Sequence, residues 1–280
     1  MRPPRYQQWT GRYIGERLGF GDELWDFPPD YPGFAELRRR RNLGRSADDH
    51  DLVYYASSTL ILDIIEAAGA VEYAVMKLEA AAAEAQQWVL DNLPALQPEV
   101  TRPQYGSWAG APSVRPAYLE FNSVVVWVRG IQDRMDRGAG ASALSRVLRR
   151  IPIVRRRVPR RTRAGLINVL ARGSLKDEVR RAHRAFRRQT GEARLLANFG
   201  LHAARVQQNA GSAAAEILDD GSIVLRIPDR VTRPVDLFAE FSFTQGRDAL
   251  RYANELLAAV DALMEALLGA FERARPKRFS

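Results

Sequence analysis

The chain contains no cysteine and only three histidines, and of its 42 basic residues only Lys77, Lys176 and Lys277 are lysine. Without thiols, disulfides and thiolate metal sites are excluded. No apolar run approaches the roughly 20 residues that a bilayer-spanning helix needs, and runs such as Val124–Val128 fall far short. The first residues, Met1-Arg2-Pro3-Pro4-Arg5-Tyr6, show no apolar leader, so the sequence predicts a cytoplasmic protein with no membrane partner. Catalytic signatures are equally scarce. No H-E-x-x-H, no nucleophile elbow and no glycine-rich nucleotide loop occurs. Gly11, Gly15, Gly19 and Gly21 follow no strand and precede no Gly-Lys-Ser/Thr, so no cofactor site is expected. Asp48-Asp49-His50-Asp51 has metal-ligand chemistry, but its place at a helix start suits the helix dipole, so no metal site is expected either.

What is present is a chain of 280 residues, 46% hydrophobic and 27% charged, long enough for a large globular core. Its net charge of +9 points to an acidic partner such as RNA or another polyanion. A GC-rich genome accounts for arginine in place of lysine but not for the excess of bases over acids.

Residues 1–45, rich in glycine, proline and aromatics, read as an irregular arm whose Trp9, Tyr13, Phe20, Trp25, Phe27 and Tyr31 pack it onto the body. Arg38-Arg39-Arg40-Arg41 reads as a solvated face. A long helix is predicted from Ser46, with Asp49 as a capping-box partner, to Leu93, where Pro94 stops it. A loop over 94–112 leads to a second helix from about Ser113 to Arg137, whose Trp127 is assigned to packing. Residues 146–163 hold nine arginines and no acid. Of these, Arg149, Arg150, Arg155, Arg156, Arg157, Arg160, Arg161 and Arg163 are candidate nucleic-acid contacts, of a kind that is independent of base sequence. Alternation in Ile223, Leu225 and Ile227 with an Asp220-Gly221 turn predicts a β-hairpin over 213–228. A final amphipathic helix spans about 246–274, and 276–280 form a tail. The fold class expected is mainly α: a long-helix bundle over 46–275 with a small β-hairpin insert before the last helix and an irregular N-terminal arm.

The organising stretch runs from Ser174 to Gln208. On a helical wheel of about 100° per residue, Lys176, Arg180, Arg184, Arg187, Arg194, Asn198, His202 and Arg205 fall within a sector of roughly 80°. Val179, Ala182, Ala185, Phe186, Ala193 and Leu196 form the opposite, core-facing side. Arg180, Arg184 and Arg187 join the candidate nucleic-acid contacts. His183, set among arginines, is read as a surface residue. Around Leu195, Phe199, His202 and Val206 apolar and polar groups mix, which predicts a two-fold homodimer through this helix.

A helical bundle whose late helix carries Ala197-Asn198-Phe199-Gly200-Leu201-His202, followed by one more amphipathic helix, resembles the HEPN superfamily. Many of its ribonucleases bear an R-x(4–6)-H motif, and here Ala197 stands at the arginine place. The resemblance implies RNA-related work, dimerisation that pairs two motif helices, and a bacterial defence or toxin–antitoxin type system with a cognate antitoxin or nucleotidyltransferase partner. The residues themselves permit metal-independent RNA cleavage. His202, beside Asn198, is a candidate base for the 2′-hydroxyl, and Arg194 or Arg205 a candidate cation for the developing phosphorane charge. Two functions are therefore expected: an RNA-associated protein with weak or lost ribonuclease activity, or a non-enzymatic basic module that binds nucleic acid or an acidic protein.

Overall fold

The computed structural model describes residues 4–14, 49–100, 114–136, 165–170, 173–202, 215–218, 222–229 and 245–274. These form a mainly α helical bundle. Six helices are described: α1 (Pro4–Ile14), α2 (Asp49–Val100), α3 (Val114–Asp136), the single-turn α4 (Leu166–Val169), α5 (Ser174–His202) and α6 (Ala249–Arg273). Between α5 and α6 lies an antiparallel hairpin of β1 (Ala215–Ile217) and β2 (Ile223–Leu225), with Ala215 opposite Leu225 and Ile217 opposite Ile223. The hairpin matches the alternating pattern; its Asp220-Gly221 turn lies outside the described residues. The rest of the arm beyond Ile14, the 146–163 segment and the 276–280 tail lie outside them too. Among the described residues no helix is long and apolar enough to cross a membrane.

The chain divides into two compact units, and α2, α3, α5 and α6 each contribute a stretch to both. The first draws on residues up to Ala68, on Gly130–Phe186 and on the chain from Asp261 onward. Its core gathers Ile61, Ile64 and Ile65 of α2, Ile131 and Met135 of α3, Leu166 and Val169 of α4, Val179 and Phe186 of α5, and Leu267 and Phe271 of α6. The helical period of these residues is what places them inward. The second unit comprises Gly69–Arg129 and Arg187–Val260. There Val71, Val75 and Leu78 of α2, Phe121, Val124 and Val128 of α3, Ala193 of α5, Leu225 of β2, and Ala253 and Val260 of α6 are buried.

Two predicted elements are corrected. Residues 4–14, expected to be irregular, are helical. Pro4 takes the first helical position, where its missing N–H and fixed φ cost nothing, and Trp9 and Tyr13 at i and i+4 are buried together. A helix of 11 residues is marginal by propensity alone. Docking supplies the difference, because Arg12 pairs with both oxygens of Glu272 (3.1 and 3.2 Å) and with Glu265, and the Tyr6 hydroxyl donates to Glu66 at 2.7 Å. Glu272 and Glu265, against the opposing effect of burial, raise the Arg12 guanidinium above its ordinary range. The second correction concerns Pro94, which does not stop α2; the helix runs on to Val100. A proline inside a helix removes one hydrogen bond at a cost of about 3 kcal/mol, which is a penalty rather than a prohibition in a helix of 52 residues.

Because Trp9 is fully buried, Trp9→Ala is expected to lower unfolding free energy by about 3–5 kcal/mol in urea titration. A loss below about 1 kcal/mol would show that α1 docks without stabilising the fold.

Candidate functional site

Helix α5 is preceded by Gly173, whose φ of 144° is a left-handed conformation that favours glycine. The Asp177 N–H donates to the Gly173 carbonyl at 3.1 Å and opens the helical ladder. Lys176 donates to the Leu170 carbonyl at 2.9 Å and so anchors the first turn. From there the 3.6-residue period sorts the side chains. Val179, Phe186, Thr190, Ala193, Leu196 and Ala197 are buried, while Arg180, Arg181, Arg184, Arg187 and Arg188 are exposed. The exposed arginines span a sector of roughly 120°.

Of the acids of this helix, Glu178 and Glu192 lie outside that sector, whereas Asp177 falls within it at the first turn. Glu178 accepts from Arg273 of α6 at 2.6 Å in the first unit. In the second unit Glu192 accepts both guanidinium nitrogens of Arg247, at 2.8 and 3.0 Å. Exposed Asp177 is the remaining acid of α5. Among the described residues, Arg180, Arg181, Arg184 and Arg188 have no acidic partner. Such a face concentrates positive potential and attracts polyanions. Arg181 and Arg188 were not singled out from the sequence, because the ridge was centred on Asn198 and His202. A sector about 60° wider takes in both.

The remaining sequence-predicted site residues are placed as follows. Arg194 is half-buried on α5. Asn198 and His202 belong to the last turns of the same helix, and their side chains lie outside the described residues. Arg205 and the arginines of 146–163 also lie outside them. Ala197, at the arginine place of the motif, is 0% exposed.

Two side chains sit where the sequence reading did not put them. His183 is buried rather than on the surface, 3% exposed, with Nδ1 3.5 Å from the Asp136 carboxylate at the end of α3. Its neighbours in sequence are arginines, but on the wheel it falls beside Val179, Phe186 and Thr190. The Asn168 side-chain amide donates to the Asp136 carbonyl at 2.5 Å, which fixes α4 at the same corner. Trp127, assigned to packing, is 39% exposed. It stands about 100° from the centre of the buried α3 face, at the flank of the stripe.

The second polar cluster joins the hairpin to α6. Asp248 caps α6 by accepting the Arg251 N–H at 2.9 Å, and its other oxygen accepts the Leu225 N–H of β2 at 3.0 Å. Arg247 adds the Pro228 and Asp229 carbonyls to its Glu192 pair and lies 5.0 Å over the Tyr252 ring. The Tyr118 hydroxyl donates to the Arg226 carbonyl at 2.9 Å, and Gln86 of α2 accepts the Ile223 N–H at 2.7 Å. These contacts hold strand, α5 and α6 in one register. Most of their polar groups are engaged with one another, although the buried Tyr252 hydroxyl has no hydrogen-bond partner among the described residues. Among the described residues no group of three His, Asp or Glu could hold a metal ion.

Burial, reinforced by Asp248, raises the Tyr118 phenol well above its ordinary value. Burial, with Glu192 next, does the same to Tyr252. In the unfolded chain both phenols ionise near pH 10, whereas in the fold they keep their protons, so stability is fully present below about pH 10 and falls above it. Tyr118→Phe is expected to cost about 1 kcal/mol at pH 7 through the lost hydrogen bond, and to make the alkaline decline shallower. Urea midpoints at neutral pH and above pH 10 measure both effects; parallel profiles for the two proteins would contradict the assignment.

Comparison with protein-family models, curated proteins and solved structures finds no match, so a functional reading rests on the chemistry of α5 itself.

Proposed function

We propose that the protein is an RNA-associated helical bundle that holds the phosphate backbone of RNA along the arginine face of α5, with ribonuclease activity weak or lost. The observation that carries this reading is the exposure of Arg180, Arg181, Arg184 and Arg188 without acidic partners among the described residues, on a helix whose other face is core. Guanidinium is the group best suited to phosphate, since its planar fork makes paired hydrogen bonds. The α-helical rise puts Arg180, Arg184 and Arg188 about 6 Å apart in steps along the axis, comparable to the separation of successive phosphates. Such contacts position a strand without reading its bases.

Lost catalysis is supported by Ala197. The motif place that should carry a cation is fully enclosed, and an arginine there would have to give up its hydration to be buried. Arg194 is the nearest upstream arginine, and a half-buried guanidinium with seven residues between it and His202 is a poor substitute. The resemblance to the HEPN superfamily adds a homodimer through α5 and an antitoxin or nucleotidyltransferase partner to this reading. The 146–163 arginines would extend the same electrostatic footprint.

The test is fluorescence anisotropy with a labelled single-stranded RNA across a salt series. Replacing Arg180, Arg181 and Arg184 with Gln is expected to flatten the log–log salt slope by about 2 units, at about 0.7 for each phosphate that is no longer neutralised, and to weaken binding at moderate salt. Melting temperature should hold, because exposed substitutions of this kind change stability little. Identical slope and affinity in the triple variant would refute the reading.

A further inference from the structure

We infer that the groove between α2 and α6 in the first unit is a docking site for a basic helix, and that α1 of a second copy fills it by exchange with the chain's own α1. The docking uses no residue of α5, so it holds or fails independently of RNA binding.

Groove and occupant are matched feature by feature. Trp9 and Tyr13 of α1 are buried and form the anchors. On the α6 side, Arg5 lies 3.8 Å from Asp261, and Arg12 pairs with Glu265 and with both oxygens of Glu272. Those pairs make α1 run parallel to α6. On the α2 side the Tyr6 hydroxyl donates to Glu66. Four carboxylates thus face two guanidinium groups and a phenol around two buried aromatic rings, which is how an amphipathic helix is held in a groove.

The same contacts are open to α1 of another molecule. They join α1 to positions 60 to 260 residues away in the chain, and a second copy presents every one of those partners. Residues 15–48 connect α1 to α2, and at up to about 3.3 Å each they have the contour to carry α1 to a neighbouring molecule. Exchange keeps each anchor and each ion pair, and reciprocal exchange closes a two-fold dimer. Charge selects the occupant. At a net charge of +9, copies repel one another at long range, whereas this groove is acidic and every copy carries the basic helix that matches it. Because a tethered helix competes at an effective concentration on the order of 1 mM, the exchanged form grows as protein concentration approaches that value, and covalent trapping reveals it below.

The experiment mixes two full-length chains with opposite charge reversals. One carries Arg12→Glu and Gln8→Cys; the other carries Glu265→Arg, Glu272→Arg and Ala262→Cys. In either chain alone α1 meets like charge in its own groove, whereas exchange between the two opposes unlike charges in both grooves. Gln8 is exposed one turn from Arg5 and from Arg12, and Ala262 is exposed beside Asp261. With no native cysteine, a short bismaleimide joins only the introduced pair. The mixture is expected to give about tenfold more two-chain product than the same two cysteines in otherwise unaltered chains. Equal yields overturn exchange, because the product then comes from collision. The first chain mixed with one carrying Ala262→Cys alone keeps like charges opposed and should show no gain; a gain there overturns docking as its source. Gln8→Cys and Ala262→Cys placed in one unaltered chain should crosslink internally. Internal product with no gain in the charge-matched mixture overturns exchange, and failure of the internal crosslink overturns the groove itself.

Discussion

An arginine can be buried only with a partner, and that constraint shapes α5 and much of what surrounds it. Among the described residues, the guanidinium groups of Arg180, Arg181, Arg184 and Arg188 on this helix have no acidic partner. Its glutamates are engaged elsewhere, Glu178 by Arg273 and Glu192 by Arg247. Each of these bridges draws α5 to α6 within its own unit and at the same time removes a carboxylate from competition for the α5 arginines. What is left over must face water or an anion. Core packing of Phe186, Ala193 and Leu196 then fixes which side of the helix that is.

The Arg247 cluster shows how a short insert serves this arrangement. A two-stranded hairpin alone is marginal in water. Here β2 gives its Leu225 N–H to the residue that caps α6, and the Ile227 N–H donates to the Arg247 carbonyl at 3.1 Å. Gly246, at a φ of 63°, turns the chain into α6 beside the Arg226 guanidinium, where a Cβ would collide. Burial opposes the charge on Arg247, but the Glu192 carboxylate outweighs it and raises the guanidinium above its ordinary range. The insert is thus a clamp on the second half of α5 rather than a separate site.

Periodicity made the helices legible in the sequence, and alternation the hairpin, because both follow from side-chain geometry. The arginine side of α5 was legible for the same reason. Judgements made from sequence neighbours rather than from faces failed: His183 looked exposed among arginines, yet its angle places it in the core. Trp127, read as packing, stands at the edge of the α3 stripe and is 39% exposed. Helix α1 was hidden because its stability comes from Trp9 and from acids on α6 more than 250 positions away. Pro94 misled because a local penalty was taken as decisive in a helix long enough to absorb it.

The central claim is that α5 meets its ligand through guanidinium groups on one face. Arginine-specific modification with phenylglyoxal, quantified by peptide mass spectrometry with and without bound single-stranded RNA, tests it residue by residue. The account predicts protection of Arg180, Arg181, Arg184 and Arg188 when RNA is bound, with exposed Arg251 on α6 modified equally in both states. RNA bound at saturation with those four arginines as reactive as in the free protein would contradict it.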